Sequence, residues 1–513
     1  MPFLAQKKVP IPNKDILSWM FDKPRFDQEK PVYVDAIDPS KSISANQARV
    51  IIRKLAAGFH AAGVTPGDCV CIHSFNNIDY PMLFLGIIAA GAIFAGTNPA
   101  YTHFELAHHF KTSRTRFVIA EPELLQAVVA AAKKRDWIRF DDEQVSKRTT
   151  AARLFSSGTT GLPKAAALSH YNLIAQHTLV NETQPIPYEP RRLLYLPLFH
   201  AAMVPVAHVT PLRSGDLSYI LRRFDMEPFL TSIQKYKLTE MVFVPPVAVA
   251  VLKYPFLHNY SLKSIKVVVC GAGPLDKEHQ NALQTILGSE TSFTQVWGMT
   301  ETSCVASKFY YPERDDTGSV GRMMPNLDVK LIDDNGNDIT AFDVPGELCI
   351  RGPTIISGYF NSPHATKDSI DGDGYFKTGD VMYCDSKTKK WYIIDRKKEL
   401  IKVRGFQVAP AEIEGVLLSH PHVLDAAVIG VRKQGEPDVE MPKAYVVRKP
   451  GSDGEALTEE KLKSFCRERL AKYKELSGGV SFVDSIPRNA TGKALKRILR
   501  DMAKAEGGNR GRL

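Results

Sequence analysis

Leu154-Phe-Ser-Ser-Gly-Thr-Thr-Gly-Leu-Pro-Lys164 is the stretch from which the fold of this chain is read. A short apolar strand, 153–155, stops at a loop of two Ser, two Thr and two Gly that is closed by a Lys. Glycines let backbone N–H groups approach phosphate oxygens, hydroxyls donate to them, and a Lys adds a point charge. The ordinary phosphate loop ends in Gly-Lys-Ser or Gly-Lys-Thr, and that ending is missing here. The competing reading is a flexible surface loop.

Outward from this loop, short apolar strands alternate with helical patterns. Strands are expected at 69–72, 116–120, 241–244, 266–270 and 293–296, and helices at 45–62, 172–179 and 247–252. Such alternation predicts an α/β protein with largely parallel sheets. The apolar run 82–96 has 15 residues and three glycines, short for a membrane span, and reads as a buried helix followed by a strand. After Leu327 the pattern changes. Residues 328–333 and 346–351 alternate around the turn Asp334-Asn-Gly-Asn337, which predicts an antiparallel or barrel-like piece. The remainder reads as helix 410–418, strands 426–431 and 443–448, helix 458–475, strand 480–483 and helix 493–503. The expected fold is therefore α/β: a large N-terminal domain, 1–396, of α/β sheets plus a barrel-like β subdomain, and a small C-terminal α+β domain, 397–513.

Composition narrows the classes. The chain has 513 residues, 44% hydrophobic and 24% charged, which excludes a disordered protein. Its net charge of +10 is carried in short basic segments, with no nucleic-acid motif beside them, so no nucleic-acid partner is expected. A solvated basic face and an attraction for polyanionic nucleotides both remain open. Seven scattered cysteines without a CxxC pair predict a reducing, intracellular, cytoplasmic setting. The N-terminus lacks an apolar signal core, and no transmembrane segment is expected. The terminal Gly511-Arg-Leu513 resembles a peroxisomal Ser-Lys-Leu address only loosely, and a chance tail is preferred.

Four further positions have chemistry worth weighing. Gln295-Val-Trp-Gly-Met-Thr-Glu301 follows a strand and combines an aromatic ring, a hydroxyl and a carboxylate. Alone, Trp297 would read as core and Glu301 as a charge opening a helix. Asp380, after Thr378-Gly379, has two oxygens able to accept from a diol, although Asp in a turn is usually structural. His200 closes the strand-like 193–198 and alone would be a core histidine. Lys493 opens a basic helix and alone would be solvated.

The whole set changes these weights. Residues 156–164, Pro197-Leu-Phe-His200, Gly271-Ala-Gly-Pro-Leu275, Gln295–Glu301, Tyr375-Phe-Lys-Thr-Gly-Asp380, Asp395-Arg-Lys-Lys-Glu-Leu-Ile-Lys402, Gly405-Phe-Gln-Val408 and Pro487-Arg-Asn-Ala-Thr-Gly-Lys493 occur in one order. In this the chain resembles the acyl-adenylate-forming superfamily of acyl-CoA synthetases, 4-coumarate–CoA ligases, beetle luciferases and peptide-synthetase adenylation domains. The 4-coumarate–CoA ligase-like branch is the most similar.

The resemblance implies a site, residue by residue. Ser156, Ser157, Gly158, Thr159, Thr160, Gly161 and Lys164 would hold the phosphates. Ala272, Gln295, Val296, Trp297, Gly298, Met299 and Thr300 would surround AMP, with Trp297 against the adenine and Thr300 at the α-phosphate. Glu301 would hold Mg²⁺, a hard cation that takes carboxylate and phosphate oxygens. Asp380 and Arg396 would share the ribose. His200 would orient and gate the acid, in a pocket formed with Ala202, Met203, Val244, Gly273 and Gly298. Lys493 would enter during adenylation, where a positioned ammonium stabilises growing negative charge. Lys398 would be the hinge of a mobile C-terminal domain. Lys402 and Gln407 would then take part in thioester formation, Arg404 and Gly405 would line the pantetheine tunnel, and Arg223 would lie near the nucleotide of CoA.

The implied activity is that of an ATP-dependent acid–thiol ligase using ATP, Mg²⁺ and CoA: a carboxylic acid becomes acyl-AMP with release of pyrophosphate, then the acyl-CoA thioester. The small apolar pocket residues suit an aryl or medium-chain fatty acid. The alternatives are loading of a separate carrier protein and a luciferase-like oxidation. Amino-acid-activating relatives place a carboxylate shortly after the strand at His200, where this chain has Ala201-Ala202-Met203, so an amino acid is not expected. The same three residues replace an aromatic-containing segment, which argues against 4-coumarate itself. A non-catalytic descendant would be expected to lose Lys493, Glu301 or Asp380, and all three are present. The stretch 134–153 is shorter than in the family, which bears on the N-terminal sheet.

Overall fold

A computed structural model describes residues 4–5, 7–99, 103–120, 139–156, 164–397, 399–403, 406–433, 436–488 and 494–509. The chain forms two compact units, one of Met1–Leu275, His279–Lys330 and Cys349–Lys377, the other of Asp276–Glu278, Leu331–Leu348 and Thr378–Leu513.

The first unit holds two mainly parallel sheets. One has five strands in the order Thr115–Ile119, Cys69–Ile72, Ile93–Gly96, Thr150–Ser156 and Lys164–Ser169, with only the last pair antiparallel. Thr150–Ser156 pairs directly with Ile93–Gly96, so this sheet is continuous despite the short stretch before it. The other has seven strands in the order Ser292–Gln295, Val267–Cys270, Glu240–Phe243, Arg191–Leu194, Leu217–Ile220, Pro31–Asp35 and Ser42–Ser44, parallel except for the final pair.

The helix Tyr80–Ala89 is buried at all ten positions, which explains its unbroken apolar sequence. It lies against Ala45–Ala61 so closely that a Cβ at Gly86 would stand 2.6 Å from Leu55 Cβ. Ala45–Ala61 starts with a capping box in which the Ser44 hydroxyl and the Gln47 amide satisfy each other's backbone N–H. On the strand Arg191–Leu194 the Arg192 guanidinium is clamped by two carboxylates, Asp216 and Glu240, the latter 2.6 Å away.

The turn-linked strands expected after Leu327 form a five-stranded sheet in the order Asp338–Ile339, Asp328–Ile332, Gly346–Arg351, Phe376–Cys384 and Trp391–Arg396. In the second unit, Val423–Lys433, Glu436–Arg448 and Val480–Phe482 make a three-stranded sheet. Successive side chains of a strand point to opposite faces. Ala426 and Val428 accordingly join Ile413, Leu417, Leu462 and Cys466 from the helices Pro410–Leu418 and Glu459–Arg467. Ala427 and Ile429 join Leu499, from the helix Lys496–Asn509, on the other face. Glu459–Arg467 is shorter than the helix expected at 458–475, and a separate 3₁₀ turn, Lys472–Lys474, follows it. Among the described residues no helix is long and apolar enough to cross a membrane.

Candidate active site

Neighbouring parallel strands of the seven-stranded sheet deliver the candidate residues at their carboxyl ends, where open α/β sheets bind ligands. Val244 follows Glu240–Phe243, Gly271, Ala272 and Gly273 follow Val267–Cys270, and Val296 and Trp297 follow Ser292–Gln295. The ladder runs past the strand ends: Gly271 N–H donates to Phe243 O at 3.1 Å, and Val296 N–H to Cys270 O at 2.9 Å. Ala272 sits at φ +65°, a left-handed conformation that a residue with a Cβ rarely adopts. Strain of this kind concentrates at functional sites. Gln295 is 5% exposed, and its amide accepts from Leu275 N–H and donates to Leu275 O and Gln280 Oε1. Its side chain thus braces the 271–275 segment.

His200 departs from expectation in its setting. The strand is Arg191–Leu194 and does not reach 198. Pro197 has no N–H to give to a ladder, and the neighbouring backbone groups are taken by one buried side chain. Asn76 donates to Leu196 O at 3.0 Å and accepts from Leu198 N–H at 3.1 Å. Phe199 packs where Gly96 ends its strand, and a Cβ at Gly96 would come within 2.4 Å of Phe199 Cβ. The His200 Nδ1 accepts from Ala202 N–H at 3.1 Å, which puts the ring proton on Nε2. Burial pushes its pKa down to about 4. His200 is therefore a neutral donor at neutral pH, suited to orienting an acid and not to shuttling protons. Met203 and Val244 are buried in the main hydrophobic core, and Ala202 is partly exposed.

Trp297–Met299 pairs antiparallel with Cys304–Lys308, and between them the turn Thr300–Thr302 carries Glu301. Gly298 is required by this pairing, since a Cβ there would lie 1.8 Å from Cys304 O. Thr300 is 9% and Glu301 4% exposed. Glu301 Oε1 accepts from the Tyr359 hydroxyl at 2.7 Å. Burial, and next the charge of Glu301, raise the Tyr359 pKa far above its usual range, and Ser156 lies close enough to the hydroxyl to oppose that shift.

A buried carboxylate beside hydroxyls suits magnesium, which keeps water and substrate phosphates as its other ligands. Among the described residues no cluster of three or more His, Cys, Asp or Glu could hold a metal by itself.

Ser156 and Lys164 are cross-strand partners on the antiparallel strands Thr150–Ser156 and Lys164–Ser169. The Lys164 ammonium lies 5.2 Å from the centre of the Tyr359 ring. In the second unit, Asp380 and Arg396 pair across Phe376–Cys384 and Trp391–Arg396, with Arg396 Nε 3.1 Å from Asp380 Oδ1. Arg223 is exposed beyond the carboxyl end of Leu217–Ile220. Lys402 and Gln407 are cross-strand partners in the hairpin Ile401–Val403 and Phe406–Val408. Ser157, Gly158, Thr159, Thr160, Gly161, Lys398, Arg404, Gly405 and Lys493 lie outside the described residues, as do the Lys402 and Gln407 side chains. Two residues that sequence reasoning missed are Asn76 and Tyr359. Neither stands in a motif whose spacing points to 198 or 301.

Comparison with known proteins identifies the family. The AMP-binding enzyme family matches residues 22–360, and the AMP-binding enzyme C-terminal domain matches 412–493. A phenylacetyl-CoA ligase of Aspergillus niger is 51% identical over 538 aligned positions, covering 98% of this chain and 99% of its own length. That alignment is longer than the 513 residues of the chain, so the relative contains residues that this chain lacks. Among solved structures, ATP-bound MatB from Rhodopseudomonas palustris superposes with a TM-score of 0.84 at 26% identity, covering 96% of this chain and 99% of that one. The o-succinylbenzoate CoA synthetase MenE of Bacillus subtilis, in complex with its acyl-adenylate intermediate, gives 0.82 at 25% identity, covering 96% and 98%. The chain belongs to the AMP-binding enzymes, the acyl-adenylate-forming superfamily.

Proposed function

We propose that this chain is an AMP-forming acyl-CoA ligase whose acid is an aryl acid of the phenylacetate kind, with medium-chain fatty acids as the next class to test. The observation that carries the proposal is the placement of Val244, Ala272 and Gly273 at the ends of neighbouring parallel strands, with a neutral His200 in the same unit. Small and apolar side chains there leave room for an uncharged acyl group, and His200 Nε2 offers one donor to its carboxylate. The name of the Aspergillus relative supports an arylacetic acid.

A free carboxylate is a poor electrophile. Its oxygen attacks the α-phosphorus of ATP, pyrophosphate leaves, and a mixed anhydride remains. A thiol of CoA then attacks the acyl carbon and AMP leaves. The protein's part is to position the groups and to compensate charge. His200 orients the carboxylate, Thr300 meets the α-phosphate, and Trp297 packs on the adenine. Ser156, Lys164 and the loop between them take the pyrophosphate, while Asp380 and Arg396 hold the ribose. Glu301 would hold a magnesium ion, which when bound supplies charge neutralisation at the phosphate oxygens. Lys493 adds positive charge during adenylation. In this reading, residues 397–513 turn about Lys398 between the half-reactions, as moving domains do in many enzymes. Lys402 and Gln407 then serve thioester formation, with Arg223, Arg404 and Gly405 on CoA. Seven scattered cysteines without a CxxC pair fit a reducing cytoplasm.

The test is pyrophosphate release over a panel of acids, with and without CoA. Release that depends on phenylacetate, with AMP and phenylacetyl-CoA as products, is expected. ADP and phosphate as products, or release indifferent to the acid, would refute the proposal.

A further inference from the structure

We propose that Tyr359 is a positioning residue for adenylation: its hydroxyl fixes the Glu301 carboxylate, and its ring holds Lys164 in register with it, so that the metal–phosphate end of the site is assembled before substrate arrives. This rests on the reading of Glu301 as the magnesium ligand.

The geometry is local to one unit. The Tyr359 hydroxyl donates to Glu301 Oε1 at 2.7 Å. A hydrogen bond to an ionised acceptor is about twice as strong as a neutral one, so it restricts how the carboxylate turns. Oε2 is then the oxygen left to face a cation. The same ring carries the Lys164 ammonium 5.2 Å from its centre, within cation–π range. Ser156, at the other end of the loop, is 8% exposed and close to the same hydroxyl. One side chain thus meets both ends of the phosphate loop and the metal carboxylate.

The support for that side chain is stiff. Tyr359 forms an antiparallel bridge with Ala166. Phe360 N–H donates to Ala165 O at 2.8 Å, and Ala167 N–H to Gly358 O at 3.1 Å. Tyr359 N–H donates to the Thr366 hydroxyl at 2.9 Å. Gly358 sits at φ +150°, and a Cβ there would meet Thr366 Cγ2 at 2.5 Å, so the chain can bend here only with glycine. On the other side, Ile356 N–H donates to Glu301 O at 3.0 Å, and the Ser303 hydroxyl to Thr354 O at 2.6 Å. The segment is stitched both to the strand that follows the phosphate loop and to the turn that carries Glu301. Groups that orient a metal ligand typically cost roughly 10–100-fold in metal affinity or activity when removed.

Tyr359→Phe keeps the ring, the bridge and the cation–π contact and removes only the hydroxyl. Three quantities are read on the full-length enzyme: the Mg²⁺ concentration for half-maximal pyrophosphate release, the affinity of the enzyme–ATP complex for Mn²⁺ by electron paramagnetic resonance, and ATP binding in EDTA. Tyr359→Phe is expected to raise the Mg²⁺ requirement and weaken Mn²⁺ binding by roughly 10-fold or more, with ATP binding in EDTA unchanged and much of the rate regained at high Mg²⁺. Glu301→Gln is the control. If Glu301→Gln shifts the metal dependence and Tyr359→Phe does not, Tyr359 has no positioning role while the reading of Glu301 stands. If Glu301→Gln leaves the metal dependence alone, that reading falls and this proposal with it. A lowered thermal midpoint of Tyr359→Phe with unaltered Mn²⁺ affinity would mean that the hydroxyl serves only the fold.

Discussion

Asp380 and Arg396 stand directly opposite each other on antiparallel strands, with the guanidinium Nε 3.1 Å from the carboxylate Oδ1. The Asp380 backbone N–H is taken by the Thr378 hydroxyl at 3.1 Å, so the residue is held from both sides. If Asp380 binds the ribose diol, Asp380→Ala removes two charge-assisted bonds of about 1.5–3 kcal/mol each. The expected result is an ATP KM raised by at least tenfold, measured by pyrophosphate release. An unaltered KM and rate would remove Asp380 from the site.

Stability should fall steeply in mild acid. Burial depresses His170, His177 and His208 to about 3 and His200 to about 4. A histidine with a folded pKa below its unfolded 6.5 adds stability that is present above 6.5 and is lost as pH falls toward the folded value. Asp395 has the opposite sign. Burial raises its carboxyl to about 6, so its contribution is full below its unfolded value of 3.8 and fades as pH rises through 6. Each group changes stability by about 1.4 kcal/mol per pH unit inside its window. Four histidines outweigh one aspartate, so urea midpoints should drop from pH 6.5 to pH 4. Midpoints that rise over that range would contradict the burial of these rings.

The Arg192 guanidinium bridges two carboxylates, Asp216 and Glu240. Arg192→Met removes the guanidinium that both carboxylates share, and breaking a buried ion pair costs about 3–5 kcal/mol. Denaturant unfolding should show that loss. Replacing Asp216 and Glu240 by Leu in the same background should recover most of it.

Two glycines proposed for the acid pocket should respond differently. A Cβ at Gly273 meets only Pro245 Cγ, at 3.7 Å, whereas one at Gly298 meets Cys304 O at 1.8 Å. Gly273→Ala should fold normally and shift the preference toward smaller acids. Gly298→Ala should disrupt the pairing with Cys304–Lys308 and abolish turnover with every acid. Competition assays with phenylacetate and a longer acid distinguish the two results.

Lys493 and Lys398 should separate the half-reactions. Lys493→Ala should slow pyrophosphate release roughly 10²–10³-fold and still convert supplied acyl-adenylate and CoA to thioester. Lys398→Pro, with φ fixed, should adenylate and fail to turn. Single-turnover assays of both steps decide, and equal slowing of both by Lys493→Ala would contradict the two-conformation reading.

The parallel sheets were legible because several of their strands are buried on both faces and read as short apolar runs: 69–72 and 93–96 are of this kind. The nucleotide motifs were legible because glycines, hydroxyls and carboxylates cluster within a few residues. What stayed hidden depends on long-range contact. Asn76 lies 120 residues or more before the backbone that it satisfies, and Tyr359 lies 58 residues after Glu301. A side-chain amide that replaces a strand neighbour leaves no periodic trace. The strand expected as far as 198 failed for that reason, because apolar residues there mark burial and not ladder pairing.

The strand Val423–Lys433 sends Ala426 and Val428 into one core and Ala427 and Ile429 into another. Both of its faces are covered by helices that follow or precede it in the same unit. A body sealed in this way carries its own interior with it. In the two-conformation reading, turning such a body leaves its own core covered, and bound ligands can decide between the orientations. That is the thermodynamic condition for a catalyst whose chemistry alternates: a landscape shallow enough for successive substrates, and not the fold, to choose the working arrangement.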